Sequence, residues 1–250
     1  PTRTTRRQRQ MCIRDRIKGF NFKSLLIINT FAIIVTSFIF NNFIFIGVYT
    51  LFFFISLFTT KNGIRIIKNF NLLQNIRTEG PANHFKKSDT PTMGGIFMMI
   101  PFLIFLLMIT INLGSLKLLL LLLTIFGFFI TGFLDDYLSI KNKENTGLKT
   151  KEKFILQSII SIIFILLAYE KNLINPLITV SDSWGINMNI FILPISFLVL
   201  VGISNSVNLT DGLDGLAAGC SGIVFYGLGT EILMKEQQEL FVFSILCYSM

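Results

Sequence analysis

The sequence contains few charged residues, one histidine, one tryptophan and only three cysteines. Charged residues make up 14% of its 250 residues, against about a quarter in soluble globular domains. Hydrophobic residues make up 52%, 27 residues are phenylalanine, and the mean hydropathy is +0.67. This composition excludes an ordinary water-soluble globule and predicts a membrane protein.

The cysteines predict neither a metal site nor a disulfide framework. Cys12, Cys220 and Cys247 lack the Cys-x-x-Cys spacing of zinc and redox sites. Two of them lie in apolar segments, where a free cysteine behaves as a small hydrophobic residue. We therefore interpret them as packing residues.

Eight apolar stretches predict an all-α fold, a polytopic integral membrane helical bundle over residues 24–250. A span needs about 20 residues, and fewer where flanking side chains reach the interface or the bilayer thins. The stretches are 24–40, 43–58, 94–112, 118–134, 154–169, 188–204, 216–234 and 240–250. Only Asn41-Asn42 joins the first two, so one long tilted helix over 24–58 is the alternative.

The net charge of +8 is distributed as membrane topology requires. If each stretch crosses once, 19 Lys and Arg residues fall on one side, in 1–23, 59–93 and 135–153. Three fall on the other side. This asymmetry places the basic side in the cytoplasm, and nucleic acid is not expected as a partner. Residues 1–23 lack the apolar core of a signal peptide and form either a basic arm held at anionic lipid or a foreign sequence.

The first polar constellation on that side is the loop 74–95, which Gly-Pro and Thr-Pro pairs mark as irregular. Basic residues such as Lys87 suit phosphate oxygens, and Gly94-Gly95 would let backbone N–H groups approach an anion. The alternative is a basic membrane-proximal loop without a ligand. His84, taken alone, is more typical of a structural hydrogen-bonding group.

The second constellation is the pair Asp135 and Asp136, which closes the fourth apolar stretch. Adjacent carboxylates repel each other unless a cation neutralises them. Oxygen ligands without nearby Cys or His favour Mg²⁺. Neighbouring helical side chains point about 100° apart, so the two carboxylates need not bind the same ion, and one could ligate it while the other handles a proton. The alternative is a solvated helix end. This alternative is disfavoured, because carboxylates near a helix C-terminus oppose the helix macrodipole.

The third constellation repeats a polar residue every three positions: Asn205, Asn208, Asp211 and Asp214. This spacing places the groups on one helical face or around one loop mouth, and intervening glycines allow a ligand to approach. A tight polar turn is the alternative. Carboxylates beside a membrane span usually mark function. The three constellations together suit Mg²⁺-assisted phosphoryl transfer at one membrane surface.

These residues closely resemble the phospho-N-acetylmuramoyl-pentapeptide transferase (MraY) family of polyprenyl-phosphate sugar-1-phosphate transferases, in the glycosyltransferase 4-like superfamily. The resemblance covers about residues 70–235. Its most specific segments are Thr-Pro-Thr-Met-Gly-Gly at 90–95 and Asn-Leu-Thr-Asp-Gly-Leu-Asp-Gly at 208–215, with Asp135-Asp136 and Gly147-Leu148…Lys153 between them.

The resemblance implies two substrates, UDP-N-acetylmuramoyl-pentapeptide and undecaprenyl phosphate, and two products, lipid I and UMP, in peptidoglycan biosynthesis. It implies a Mg²⁺ cofactor bound by Asp135 and Asp136. Asp135 would deprotonate or orient the lipid phosphate, and Asp136 would support it or the metal. A single displacement is favoured over a covalent aspartyl intermediate. The implied substrate-binding residues are His84, Lys87, Thr92, Asn205, Asn208, Asp211 and Asp214.

The sequence departs from the family pattern in three ways. Asp89 stands where the family usually has glycine, and residues 1–23 match no family motif. The family's later metal-binding aspartate and histidine-rich loop have no counterpart before Met250. We therefore expect the chain to be incomplete at its carboxyl end, with a further metal ligand beyond Met250. The 250-residue chain is expected to be inactive alone.

Two other functions remain open at this stage. One is a sister transferase that uses a UDP-N-acetylhexosamine, and the other is a transporter or lipid binder without chemistry. Acidic groups at span ends argue against transport, because transporters place charges near the membrane midplane. Glycines such as Gly222, Gly227 and Gly229 would allow close packing of two copies, so a homodimer is one expected assembly.

Overall fold

The protein folds as an array of α-helices with one small β-hairpin, in the part of the chain that the structure describes. The structure is a computed structural model. It describes residues 30–31, 34–35, 44–70, 92–142, 147–181, 184–210, 215–235 and 238–249. The helices are α1 Ile44–Asn69, α2 Gly95–Leu113, α3 Leu116–Asn142, α4 Thr150–Glu170, α5 Ile192–Thr210, α6 Leu216–Met234 and α7 Gln238–Ser249. Strands β1 Leu177–Ser181 and β2 Trp184–Asn187 form the antiparallel hairpin, and a 3₁₀ turn, Asn189–Phe191, leads into α5.

Six of these helices, α1 to α6, are long and apolar enough to cross a membrane. Many of their large apolar side chains are exposed, among them Ile111, Leu198 and Ile223. Such a surface is unfavourable in water but matches lipid tails. The predicted fold class, an all-α multi-pass membrane protein, is confirmed.

Several helices extend beyond the predicted apolar stretches, and α3 and α5 continue to Asn142 and Thr210, past the expected ends at 134 and 204. The stretch 43–58 continues as helix α1 to Asn69, because the helical backbone bonds persist through Lys61 and Arg65, beyond the apolar segment. The stretch 240–250 corresponds to α7, a helix of 12 residues that is short for a span. Most of the stretch 24–40, with Asn41-Asn42, lies outside the described residues.

The chain divides into two units, Pro1–Thr50 and Leu51–Met250. In the first unit the described residues include the start of α1, where the Thr50 hydroxyl donates to the Ile46 carbonyl at 2.7 Å. The predicted boundary between a basic arm over 1–23 and a membrane domain from residue 24 lies outside the described residues and stays a prediction.

Within Leu51–Met250, neighbouring helices in the chain pack on each other from α2 to α7. The ring of Phe52 on α1 lies 5.0 Å from that of Phe105 and 6.5 Å from that of Phe102. The Phe102 ring also lies 6.2 Å from that of Phe243 on α7. These aromatic contacts join α1, α2 and α7.

A two-residue turn reverses the chain between α2 and α3. Gly114 adopts a left-handed conformation (φ 57°) that ends α2, and its N–H donates to the Ile111 carbonyl. The Ser115 hydroxyl oxygen accepts the N–H of Leu118 at 3.4 Å and so caps α3. Because the turn is so short, α2 and α3 are antiparallel neighbours.

Candidate active site

Four helices contribute to a cavity of about 240 Å³ at one end of the array. Its lining residues are Met93, Gly95 and Ile96 at the start of α2, Phe129, Gly132, Phe133, Asp135 and Asp136 of α3, Lys153 of α4, and Asn208 of α5. Because α2 and α4 begin here while α3 and α5 end here, the alternating helix directions bring these distant residues together.

Asp135 is held by two partners from the segment that follows α3. The Lys153 ammonium lies 2.9 Å from Asp135 Oδ2, and the Leu148 N–H donates to Asp135 Oδ1 at 2.9 Å. The side chains of Lys153 and Asp135 are 19% and 27% exposed. Charge-assisted bonds to both oxygens fix the orientation of this carboxylate in the cavity wall.

The turn before α4 comes close to α3 because residue 147 is glycine. A Cβ atom at Gly147 would collide with the main-chain carbonyl of Asp135. Only glycine permits this approach, which carries the Leu148 N–H to the Asp135 carboxylate. Lys149 directly precedes α4, and its N–H donates to Glu152 Oε2 at 2.9 Å.

Asp136 contacts the segment that leads into α2. The Met93 N–H donates to Asp136 Oδ2 at 3.2 Å, and the Thr92 side chain also hydrogen-bonds to Asp136. Met93 has a φ of 63°, in the left-handed region that is uncommon for a residue other than glycine. Thr92, predicted from the sequence as a site residue, is thus brought next to the Asp pair.

The two asparagines of α5 have different surroundings. Asn208 lines the cavity. Asn205, one turn earlier, turns towards α4, where its Nδ2 donates to Gln157 Oε1 at 2.9 Å and to the Val201 carbonyl at 2.8 Å. Gln157 Nε2 in turn donates to Ser204 Oγ at 3.1 Å. Asn205 therefore joins α4 to α5, and its contact with a substrate stays a prediction.

Four predicted site residues lie outside the described residues: His84, Lys87, Asp211 and Asp214. Their roles stay predictions. Sequence reasoning misses Lys153 as a candidate site residue, because a basic segment such as 141–153 between two spans is also typical of a solvated lysine loop. The one signal in the sequence was the Gly147-Leu148…Lys153 pattern, whose residues hold Asp135.

The oxygen atoms of Asp135 and Asp136 suit a hard cation. Mg²⁺ prefers oxygen ligands and is commonly held by one or two carboxylates, with water and substrate phosphates completing the octahedron. Across the described part of the chain, no group of three or more His, Cys, Asp or Glu residues forms a self-sufficient metal site. The donor chemistry therefore fits Mg²⁺ bound jointly by the Asp pair and a substrate.

Comparison with known proteins gives matches across most of the chain. Residues 118–250 match the model of glycosyl transferase family 4, and residues 87–97 match phospho-N-acetylmuramoyl-pentapeptide-transferase signature 1. The signature therefore covers Thr92, Met93, Gly95 and Ile96, at the beginning of α2.

Several similar proteins carry the name phospho-N-acetylmuramoyl-pentapeptide-transferase. One from Prochlorococcus marinus (strain MIT 9312) is 88% identical over 235 residues, which are 94% of this chain and 66% of that relative. Another from P. marinus subsp. pastoris is 54% identical over 93% of this chain and 65% of its own length. One from Halalkalibacterium halodurans is 38% identical over 72% of this chain and 56% of its own length.

The chain thus spans slightly less than two thirds of the length of the curated relatives it matches. The family match includes Asp135, Asp136 and Lys153. The signature includes Met93, Gly95 and Ile96, which line the same cavity. From these matches and this site, the chain belongs to glycosyl transferase family 4.

Proposed function

We propose that the whole protein transfers phospho-N-acetylmuramoyl-pentapeptide from its UDP carrier to undecaprenyl phosphate. The products are lipid I and UMP, and the reaction belongs to peptidoglycan biosynthesis. The observation that carries the proposal is the cavity in which residues of signature 87–97 meet the Asp135–Asp136 pair and Lys153. The names of the relatives support the choice of sugar substrate.

The proposed reaction is a single displacement at phosphorus. An oxygen of the lipid phosphate attacks the sugar-linked phosphorus, the bond between the two phosphates of the UDP carrier breaks, and UMP leaves with the released oxygen. Asp135, held by Lys153 and Leu148, orients or deprotonates the lipid phosphate. Asp136, held by Met93, supports this group or the metal.

The remaining predicted residues are assigned to substrate binding, with Lys87, Asn208, Asp211 and Asp214 on the nucleotide and phosphate side. Asn208 lines the cavity and Thr92 adjoins Asp136, which supports the proposal that both contact a substrate entering from the helix ends. The same role is proposed for His84, Lys87, Asn205, Asp211 and Asp214. The Asp pair would hold Mg²⁺, and the ion would neutralise negative charge on the phosphates.

The protein is proposed to lie in a bacterial inner membrane, with the cavity facing the cytoplasm. UDP-linked sugars are found in the cytoplasm. The support is the uneven distribution of Lys and Arg along the sequence, together with Lys141, Lys149 and Lys151 at the cavity ends of α3 and α4. A homodimer stays a prediction. A Cβ atom at Gly229 would lie 2.7 Å from Ser244 Oγ, so that glycine packs α6 against α7 within one chain.

The test is lipid I formation by the chain extended with the remaining segment of the P. marinus MIT 9312 relative, in membranes with undecaprenyl phosphate. We expect turnover that EDTA abolishes and that Asp135→Asn lowers by about 10²-fold or more. Glu231→Gln is the matched control, because Glu231 is an exposed carboxylate paired with Lys235 away from the cavity. Equal activity of the two variants would contradict the role of Asp135.

Substrate competition separates the transferase from its rivals. The muramoyl-pentapeptide nucleotide should compete for the site, and UDP-N-acetylglucosamine should not. The reverse result would identify the sister transferase. Retained lipid binding without turnover of either nucleotide by the folded, extended chain would identify a binding protein. The 250-residue chain, assayed beside it with Mg²⁺, is expected to give no turnover.

A further inference from the structure

The β1–β2 hairpin has one apolar face and one largely polar face. Its register places Ile178 opposite Ile186, and Trp184 lies two residues from Ile186, so these three side chains share a face. The other face carries Thr179, Gly185 and Asn187, with Leu177 at its base. The apolar face is uncovered: Trp184 is 58% exposed, Ile186 41% and Ile178 39%.

The hairpin is fastened to the ends of two membrane-spanning helices. It connects α4, which ends at Glu170, to the next candidate span, which begins at Asn189. The Met188 N–H donates to the Pro176 carbonyl at 2.9 Å and closes its base. Because α4 begins at the cavity and is 21 residues long, the hairpin lies about 30 Å from the cavity along α4.

The apolar surface continues from the hairpin into the membrane span. Ile190 and Phe191, between β2 and α5, are 57% and 68% exposed. These residues begin a candidate membrane span, so the apolar face of the hairpin and the exposed apolar surface of that span are joined along the chain. The segment between Lys171 and Ile190 contains one charged residue, Asp182, and therefore offers no basic cluster for an anionic partner.

We propose that the hairpin is an interfacial anchor, with Ile178, Trp184 and Ile186 inserted at the headgroup–acyl boundary of the leaflet opposite the cavity. Burial of apolar surface at that boundary is favourable, because it removes the surface from water. Tryptophan is the residue that membrane interfaces favour most clearly, because its ring is apolar and its N–H reaches polar groups. The anchor holds the turn between α4 and α5, the helices that carry Lys153 and Asn208.

Trp184 is the only tryptophan of the chain, so its fluorescence reports the depth of the hairpin directly. The 250-residue chain is reconstituted in phosphatidylcholine vesicles brominated either near the headgroup end or near the methyl end of the acyl chains. We expect a blue-shifted emission and a larger loss of emission with bromine near the headgroup. Acrylamide in the water should quench less than it quenches free tryptophan.

Two other outcomes would overturn the proposal. Strong acrylamide quenching without bromine quenching would place Trp184 in water. Weak quenching by both agents would show that protein covers the face, such as a second copy of the chain. Ile186→Ser should reduce the bromine quenching of Trp184, whereas Asn187→Ser, on the polar face, should leave it unchanged. Equal quenching in these two variants, with retained helical circular dichroism, would also overturn the anchor.

Discussion

Lys153 reaches across the turn between α3 and α4 and pairs with Asp135, with Nζ 2.9 Å from Oδ2. Both side chains are mostly shielded from water, so the pair is screened less than an ion pair on an open surface. A carboxylate that the sequence predicts as functional is thereby joined to an amine that is absent from the predicted site residues. The turn between the helices is part of the candidate site.

Replacing Lys153 by methionine should lower turnover of the extended chain by about 10²-fold, because Asp135 loses the charge that orients it. Lys151→Met is the matched control, since Lys151 is exposed in the first turn of the same helix. Steady-state lipid I formation measures the effect. The role assigned to Lys153 is wrong if both lysine variants retain the activity of the unaltered protein.

Replacing Gly147 by alanine should displace the turn from α3, because the new Cβ atom would meet the Asp135 carbonyl. The Leu148 N–H would then lose its bond to the carboxylate, and overpacking lowers stability by about 1–3 kcal/mol. Gly202→Ala is the control, because a Cβ atom there meets nothing within 4 Å. Thermal unfolding in detergent and turnover should both fall for Gly147→Ala and remain near the original values for Gly202→Ala.

The Gln157–Asn205 hydrogen bond should stabilise the packing of α4 on α5. Gln157 is 2% exposed, and polar pairs between membrane helices contribute about 0.6 kcal/mol on average and up to about 1.7. A double-mutant cycle with Gln157→Leu and Asn205→Leu measures this coupling through unfolding free energies. Additive effects would mean that the two amides act independently. A large rise in KM for Asn205→Leu alone would instead support the predicted substrate contact.

Met93 should tolerate glycine better than valine. Its left-handed backbone conformation is accessible to glycine, whereas it disfavours a β-branched residue by about 1–2 kcal/mol. Met93→Val should therefore lower the unfolding temperature and weaken the N–H bond to Asp136, and Met93→Gly should retain the stability of the parent. Thermal unfolding of the two variants compares them directly. A less stable glycine variant would show that packing of the methionine side chain outweighs the backbone strain.

Local sequence predicted the helices well, because a membrane span depends on a run of apolar side chains and on hydrogen bonds within the same segment. The stretches 94–112 and 216–234 differ from α2 and α6 by one residue or less at each end. The hairpin was not predicted, since its strands have five and four residues and their pairing depends on a partner outside each strand. The extension of α1 to Asn69 was missed, because hydropathy marks where lipid ends and not where helical hydrogen bonding ends.

By itself, the sequence determined that this is a helical membrane protein with Asp135, Asp136 and Asn208 beside the ends of apolar segments. Apolar composition and the position of polar residues relative to each span are properties of the chain alone. Only the tertiary structure decided that Lys153 and Leu148 hold Asp135, that Met93 holds Asp136, and that Asn205 faces Gln157. These pairings depend on the rotation of each helix and on the close approach of Gly147, which spacing along the chain does not specify.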